Sequence, residues 1–342
     1  MLSHKSFSDD VGHVEFWSPL MVLTRLPNIH KLPRSGNYSW CKRVMSTIAP
    51  KEIRIPIPSG HIAGKIWNEG GIPVIGLHGW MDNAGTWDGI GPFLPKSLSL
   101  IAIDFPGHGF TPMMQTGGST FLDLVLLVER IVQHFEIKEV RLLGHSMGAG
   151  AAFLYAATFP KKVKKIIMID LIKPISVEAG DQPEKTARSI SELILAETKL
   201  GSEPPRYDQS TIVDKMIKGY NMSLTEESAK ILLKRGSIDH GNGEYSFNYD
   251  PRIKLRNILS MTFDQLKAFA RHLECELLLI KASKGPFYED KAIYEEMMTV
   301  YRESAKVFKY VIVEGTHHVH LNDPGGVLPM ISEFLIDDMV DL

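Results

Sequence analysis

Val140-Arg141-Leu142-Leu143, a mostly apolar run, leads directly into Gly144-His145-Ser146-Met147-Gly148 and then into the small-residue run Ala149-Gly150-Ala151-Ala152. Each part of this stretch has a mechanical reason. A serine between a strand and a helix occupies a strained turn that lifts its hydroxyl clear of the sheet. The residues two before and two after it approach neighbouring backbone so closely that only small side chains fit. Gly144 and Gly148 meet that demand, and Gly150 and Ala151 let the following helix press against the sheet. The helix N-terminus adds positive potential beside a developing oxyanion. Ser146 is therefore predicted to be a nucleophile; the competing reading is an ordinary glycine-flanked turn. Gly144-x-x-x-Gly148-x-Gly150 has neither the spacing nor the Lys-Ser/Thr of a phosphate loop, so no nucleotide cofactor is expected.

Outward from this turn, short β-type runs alternate with helical ones from Lys51 onward, the pattern of a mainly parallel sheet covered on both faces. Glu52 to Ile57 and Ile62 to Trp67 flank Pro58-Ser59-Gly60 and read as an edge hairpin. Pro73 to Leu77, Leu98 to Ile103 and Val163 to Ile169 read as strands, the first two buried on both faces. Phe121, Val125, Val128, Val132 and Phe135 recur at helical spacing, with Thr120 as cap and Asp123 in the first turn. The alternation breaks from about Leu171 to Met261. There, helices are predicted around Thr186 to Leu200 and Ser223 to Arg235, the latter with Ser223 and Glu226 in capping-box spacing and Gly236 as a stop. It resumes with strands Glu276 to Lys281 and Val307 to Val313, a helix near Lys291 to Tyr301 and another after Pro324. The expected division is an N-terminal extension (1–50), an α/β core in two parts (51–171 and 262–342) and a helical cap (172–261).

The candidate partners of Ser146 follow from position. His78-Gly79-Trp80, just after the strand ending at Leu77, is placed to supply a second backbone N–H to an oxyanion. That assigns the hole to Trp80 and Met147, with His78 organising the loop. A general base is expected near the C-terminus, where Gly315-Thr316-His317-His318-Val319-His320 offers three imidazoles. His317 is the assigned base, His318 the alternative, and His320 a loop-stabilising residue. No metal is assigned to these histidines, because no carboxylate or cysteine pattern accompanies them. The acid is the one departure. After Leu277-Leu278-Leu279-Ile280-Lys281, where the turn would carry Asp near Gly285, there is none. Asp170, at the end of the strand after the nucleophile helix, is assigned instead, with Glu289 or Asp290 as the alternative. Asp104, opening Asp104-Phe105-Pro106-Gly107-His108-Gly109, reads as structural.

Global composition narrows the partners. A chain of 342 residues, 44% hydrophobic and 23% charged with a formal net charge of -2, has a sizeable core and no bias toward nucleic acid or anionic membranes. No stretch approaches ~18 uninterrupted apolar residues, so no membrane span is expected. Two cysteines, Cys41 and Cys275, fit a reducing compartment, and the cytoplasm is the expected location. The first fifty residues carry more basic than acidic side chains and several serines, a weak organelle-targeting pattern spoiled by Asp9, Asp10, Glu15 and scattered prolines. Met45 offers an internal start, and Val340-Asp341-Leu342 is not the peroxisomal tripeptide.

The ordered set His78-Gly79-Trp80, Asp104-x-x-Gly107-x-Gly109, Gly144-His145-Ser146-Met147-Gly148 and Gly315-x-His317-x-x-His320 resembles the α/β-hydrolase superfamily over roughly residues 50 to 340. Within it, Leu77-His78-Gly79-Trp80-Met81-Asp82-Asn83-Ala84 and Phe247-Asn248-Tyr249-Asp250-Pro251-Arg252 are similar to the serine-hydrolase-like (kraken-type) subgroup. The resemblance implies an α/β-hydrolase fold, a mostly parallel sheet flanked by helices with an inserted helical cap. It also implies hydrolysis of a small-molecule substrate that the subgroup does not name. Relatives that open epoxides or cleave carbon–halogen bonds use an Asp nucleophile, and Ser146 at that position argues against both reactions. The expected activity is cleavage of a small ester or thioester. The missing Asp near Gly285 keeps open a non-catalytic member that binds an apolar ligand or a protein.

Overall fold

The computed structural model describes residues 49–114, 120–255 and 257–336. Cys41, Met45, the C-terminal tripeptide and nearly all of the N-terminal extension lie outside them.

β1 (Lys51–Ile57) and β2 (Gly60–Trp67) form an antiparallel hairpin in which Ile57 pairs with Gly60, as the alternation predicts. β3 (Ile72–Leu77), β4 (Leu98–Ile103), β5 (Val140–His145) and β6 (Val163–Ile169) are near-continuous apolar runs. Every residue of β4 and β5 is buried, which requires cover on both faces. Between these strands run α1 (Phe121–His134) and α2 (Met147–Thr158). Thr120 and Asp123 close a reciprocal capping box on α1. Six apolar side chains of α1 are buried, at about 1.5–3 kcal/mol each for full burial.

After β6 the chain leaves the sheet. It forms α3 (Gln182–Glu197), the short strand β7 (Tyr207–Asp208), α4 (Gln209–Gly219), α5 (Glu226–Gly236) and strands β8 (Ser237–Asp239) and β9 (Glu244–Phe247). β7, β9 and β8 make a small antiparallel sheet, so this insertion is not wholly helical as expected. The chain then returns through α6 (Phe263–Ala270), β10 (Glu276–Ala282), α7 (Lys291–Ser304), β11 (Val307–Val313), the single turn α8 (Val319–Asn322) and α9 (Pro324–Leu335). The main sheet has the order β1-β2-β4-β3-β5-β6-β10-β11, parallel from β4 through β11. One face packs Leu127, Phe153, Leu266 and Met297 from α1, α2, α6 and α7; the other packs Trp87 with Val327 and Ile331 of α9. The insertion keeps a core of its own, with Ile212, Met216 and Leu232, and Leu321 of α8 reaches into it.

The start of α5 differs from the sequence reading. Thr225, not Ser223, is its N-cap and accepts from the Ser228 N–H, while Ser223 is drawn away to His318. α5 is anchored to the core by Arg235, which reaches fully buried Asp104 through Nε and Nη2 (2.6 Å for the latter) and Glu52 through Nη1 at 2.7 Å. Asp104 also accepts from the N–H groups of Ala84 and Phe110, the structural role its position suggests. Arg235→Leu leaves that buried carboxylate without its cation and is expected to cost roughly 3–5 kcal/mol in urea unfolding. A loss below ~1 kcal/mol would mean the two backbone donors suffice.

Candidate active site

Ser146 stands between β5 and α2 with φ 49° and ψ -118°, a strained conformation for a side chain with a Cβ. Packing enforces it. A Cβ on Gly148 would come within 2.2 Å of the Leu77 carbonyl oxygen, and one on Gly144 within 2.5 Å of that of Gly148. The Ser146 N–H donates to Ile169 O at 3.0 Å, pinning the turn to the end of β6.

Asp170 is the residue just past the end of β6, and there the geometry converges. Ser146 Oγ lies 2.9 Å from His317 Nε2, and His317 Nδ1 lies 2.6 Å from Asp170 Oδ2. A carboxylate at Nδ1 fixes the proton there and leaves the Nε2 lone pair facing the serine. The other oxygen of Asp170 accepts from Lys281 Nζ at 2.6 Å and from the Ala282 N–H at 2.9 Å, so the carboxylate is held on every side. Burial pushes the Lys281 ammonium down, partly offset by Asp170. The sheet brings these groups together: β6 pairs with β10 up to Ile169↔Ile280, and the Asp170 N–H donates to Ile280 O at 2.7 Å. A Cβ on Gly285 would sit 2.0 Å from Asp170 Oδ2. Asp170 thus occupies the space a side chain at 285 would take.

The alternative acids are elsewhere. Glu289 is engaged by Lys173 Nζ and by the Ser176 hydroxyl and N–H, and Asp290 sits at the N-cap of α7. The Tyr288 hydroxyl, a neighbour not anticipated from sequence, comes within 3.4 Å of His317 Nε2.

Met147 is the first residue of α2, directly after the serine. Trp80 lies in the turn after β3, whose Leu77 pairs with Gly144. That turn is closed by Asp82 N–H donating to Gly79 O at 3.1 Å and Gly79 N–H donating to Asp82 Oδ2 at 3.3 Å. The Trp80 ring donates to the Ile253 carbonyl of the insertion. His78 accepts from the Phe105 N–H through Nε2 at 2.8 Å and so donates to Gly79 O through Nδ1 at 2.7 Å. Burial lowers its pKa, which fits this neutral, loop-holding tautomer. His108 does the same for the other side of the turn, accepting from Met81 N–H, with burial pushing it down to about 3.

Behind the triad-like line lies a second cluster around Asp82, invisible in sequence because its members are far apart in the chain. His318 Nε2 donates to Asp82 Oδ1 at 3.3 Å, His145 Nδ1 lies 3.1 Å from Oδ2, and Thr86 Oγ1 donates to Oδ2 at 3.3 Å. His320 Nε2 is 2.8 Å from Thr86 Oγ1. Burial pushes Asp82 up, but His318 and His145 outweigh it and hold the carboxyl well below its ordinary value. Burial lowers His145 to about 4, so its ring is neutral at pH 7. Its other nitrogen lies 3.0 Å from the His317 carbonyl. Both partners are acceptors, so one proton serves only one of them at a time. Asp82, His145 and His320 also hold ligand-type atoms within 4.8 Å of one another, the set among the described residues that a metal could use.

Ser223 links the insertion to this loop. Its hydroxyl lies 2.8 Å from His318 Nδ1 and accepts from the His318 N–H at 3.2 Å, while its carbonyl accepts from Thr316 Oγ1 and Asn322 Nδ2.

Comparison with known proteins follows the same lines. The α/β-hydrolase-fold family model matches residues 72–193. A probable serine hydrolase of Drosophila melanogaster is 36% identical over 289 residues, 83% of this chain and 87% of that protein. Human serine hydrolase-like protein 2 is 32% identical over 83% of this chain and 93% of its own length. The chain belongs to the serine hydrolase-like subgroup of the α/β-hydrolases. The crystal structure of a hypothetical protein from Pseudomonas aeruginosa PAO1 superposes on this α/β-hydrolase with a TM-score of 0.74 at 27% identity, covering 83% of this chain and 98% of that one.

Ser223→Ala removes the hydroxyl by which the insertion meets His318, leaving buried groups unpaired. A loss of about 1–3 kcal/mol is expected in chemical denaturation. An unchanged midpoint would show that water replaces the hydroxyl.

Proposed function

We propose that this protein is a serine hydrolase that cleaves a small carboxylic ester or thioester through an acyl-enzyme on Ser146. The observation that carries this reading is the unbroken line from Ser146 Oγ through His317 to Asp170, at 2.9 and 2.6 Å. In the first step Ser146 Oγ attacks the carbonyl carbon as His317 Nε2 takes its proton. Asp170 stabilises the imidazolium without itself taking the proton. The oxyanion is held by the N–H groups of Met147 and Trp80, each worth about 3 kcal/mol in the transition state. His317 then returns the proton to the leaving alcohol or thiol. Water, deprotonated by His317, cleaves the acyl-enzyme and frees Ser146.

Residues 172–261 act as a cap over the core in this reading and exclude polymers and bulk water from the serine. No helix among the described residues is long and apolar enough to cross a membrane. The low cysteine count supports a cytoplasmic, reducing setting.

Wild-type protein is expected to form a covalent adduct with a fluorophosphonate and to hydrolyse short-chain aryl esters, and Ser146→Ala to do neither. Equal turnover by both would overturn the mechanism. Folded wild type that resists labelling would instead favour a ligand-binding member of the fold. Asp170→Asn is expected to lower kcat by roughly 10³–10⁴-fold.

The exchange at Gly285 gives a sharper test. Asp170→Gly suits the positive φ of 55° at that position and vacates the space beside Gly285. Adding Gly285→Asp is expected to restore kcat at least about tenfold over Asp170→Gly alone, ~1.4 kcal/mol of barrier. A double variant no faster than the single one would show that the 285 position cannot orient His317.

A further inference from the structure

A cavity of about 290 Å³ lies between the turn after β3 and the insertion, bordered by Met81, the direct neighbour of Trp80. Tyr207, Phe247 and Tyr249 line it, and two lysines, Lys215 of α4 and Lys254, stand beside them. Lys215 Nζ lies 4.9 Å from the Tyr207 ring centre and Lys254 Nζ 4.7 Å from that of Tyr249. Nearby cations of the insertion find carboxylates: Arg206 pairs with Glu244, Lys218 with Asp214, and Arg252 with Asp250. Among the described residues, Lys215 and Lys254 have no such partner and rest on aromatic faces instead. The Tyr220 hydroxyl, also on the cavity wall, is buried and faces Asp82. Asp82 borders the cavity too, but its carboxylate is taken up by Gly79, Thr86 and the imidazoles behind it.

Two exposed ammonium groups without carboxylate partners, set on aromatic walls, are complementary to an anion carried on a small apolar or planar body. We propose that this cavity holds a carboxylate or phosphate group of the substrate, so that the hydrolase acts on anionic esters or thioesters. This rests on the function proposed above and names its substrate class. Met81 of the cavity wall follows Trp80, whose ring reaches the Ile253 carbonyl next to Lys254, and a substrate of this class would span from the Trp80 N–H to the lysines. The charge is bound alike in ground and transition states, so selectivity enters through KM rather than kcat.

The test uses fluorophosphonate-reactive full-length protein and two matched substrate pairs. One pair places the charge on the acyl side, mono-p-nitrophenyl succinate against p-nitrophenyl butyrate. The other places it on the leaving group, acetyl-coenzyme A against S-acetyl-N-acetylcysteamine. At least one anionic member is expected to be preferred by about tenfold or more in kcat/KM, through KM. In Lys215→Gln/Lys254→Gln the preference is expected to fall below about threefold, and in the matching Lys→Arg double variant to persist. The pair that responds identifies which end of the substrate enters the cavity. Turnover of the neutral esters with no anionic preference, or a preference that survives the Gln double variant, would overturn this inference and leave the hydrolase intact. If Ser146 resists labelling, the hydrolase reading fails, and calorimetry of coenzyme A and succinate with Ser146→Ala still decides the cavity. Lysine-dependent binding supports the site, and no binding refutes it.

Discussion

The turn at Ser146 is held by the absence of side chains around it. Gly148 lies so close under the Leu77 and His78 carbonyls that no Cβ fits, and Gly144 is equally close to Gly148. α2 therefore starts tight against β3 and β5, and Ser146 is left at positive φ with its hydroxyl above the sheet. Strain of about 1–3 kcal/mol at such a residue persists only where surrounding packing over-determines it. Here the apolar burial of β4, β5 and α2 supplies that determination. The Ser146 N–H bond to Ile169 then sets the distance to the end of β6, on which the rest of the site is built.

From that anchor the acid is placed by strand order. β6 and β10 are neighbours, so a carboxylate at the end of either one reaches the same volume above the sheet. Asp170 projects from β6 into the space left free by Gly285 after β10, and the β10 residues Lys281 and Ala282 complete its coordination. A buried carboxylate shared between one imidazole, one ammonium and one backbone N–H is well satisfied, which offsets the cost of its burial.

Two of the side chains that join the insertion to the core bear on this site. Arg235 ties α5 to Asp104 in the core, and Ser223 ties the start of the same region to His318 and Thr316 on either side of His317. His145, itself beside Asp82, lies against the backbone carbonyl of His317, and the insertion holds the residues on either side of that histidine. Such contacts make the position of His317 depend on how the insertion sits on the core.

The strand–turn–helix stretch around Ser146, the alternation that makes a parallel sheet and the histidine run after β11 were legible because they are local: period, glycine spacing and chain order suffice. Ser223 misled for the same reason, since its spacing to Glu226 suits a cap while a closer imidazole takes its hydroxyl. The small sheet of the insertion escaped because strands of two to four residues carry too little alternation to read. The cluster of Asp82, His145, His318 and His320 joins residues up to 238 positions apart, from Asp82 to His320, and had no local signature. Sequence alone determined which residues can be strained, small or nucleophilic, because those are properties of a side chain and its immediate neighbours. Which carboxylate meets His317 was decided by the pairing of β6 with β10, since only the folded sheet brings Asp170 into the space beside Gly285.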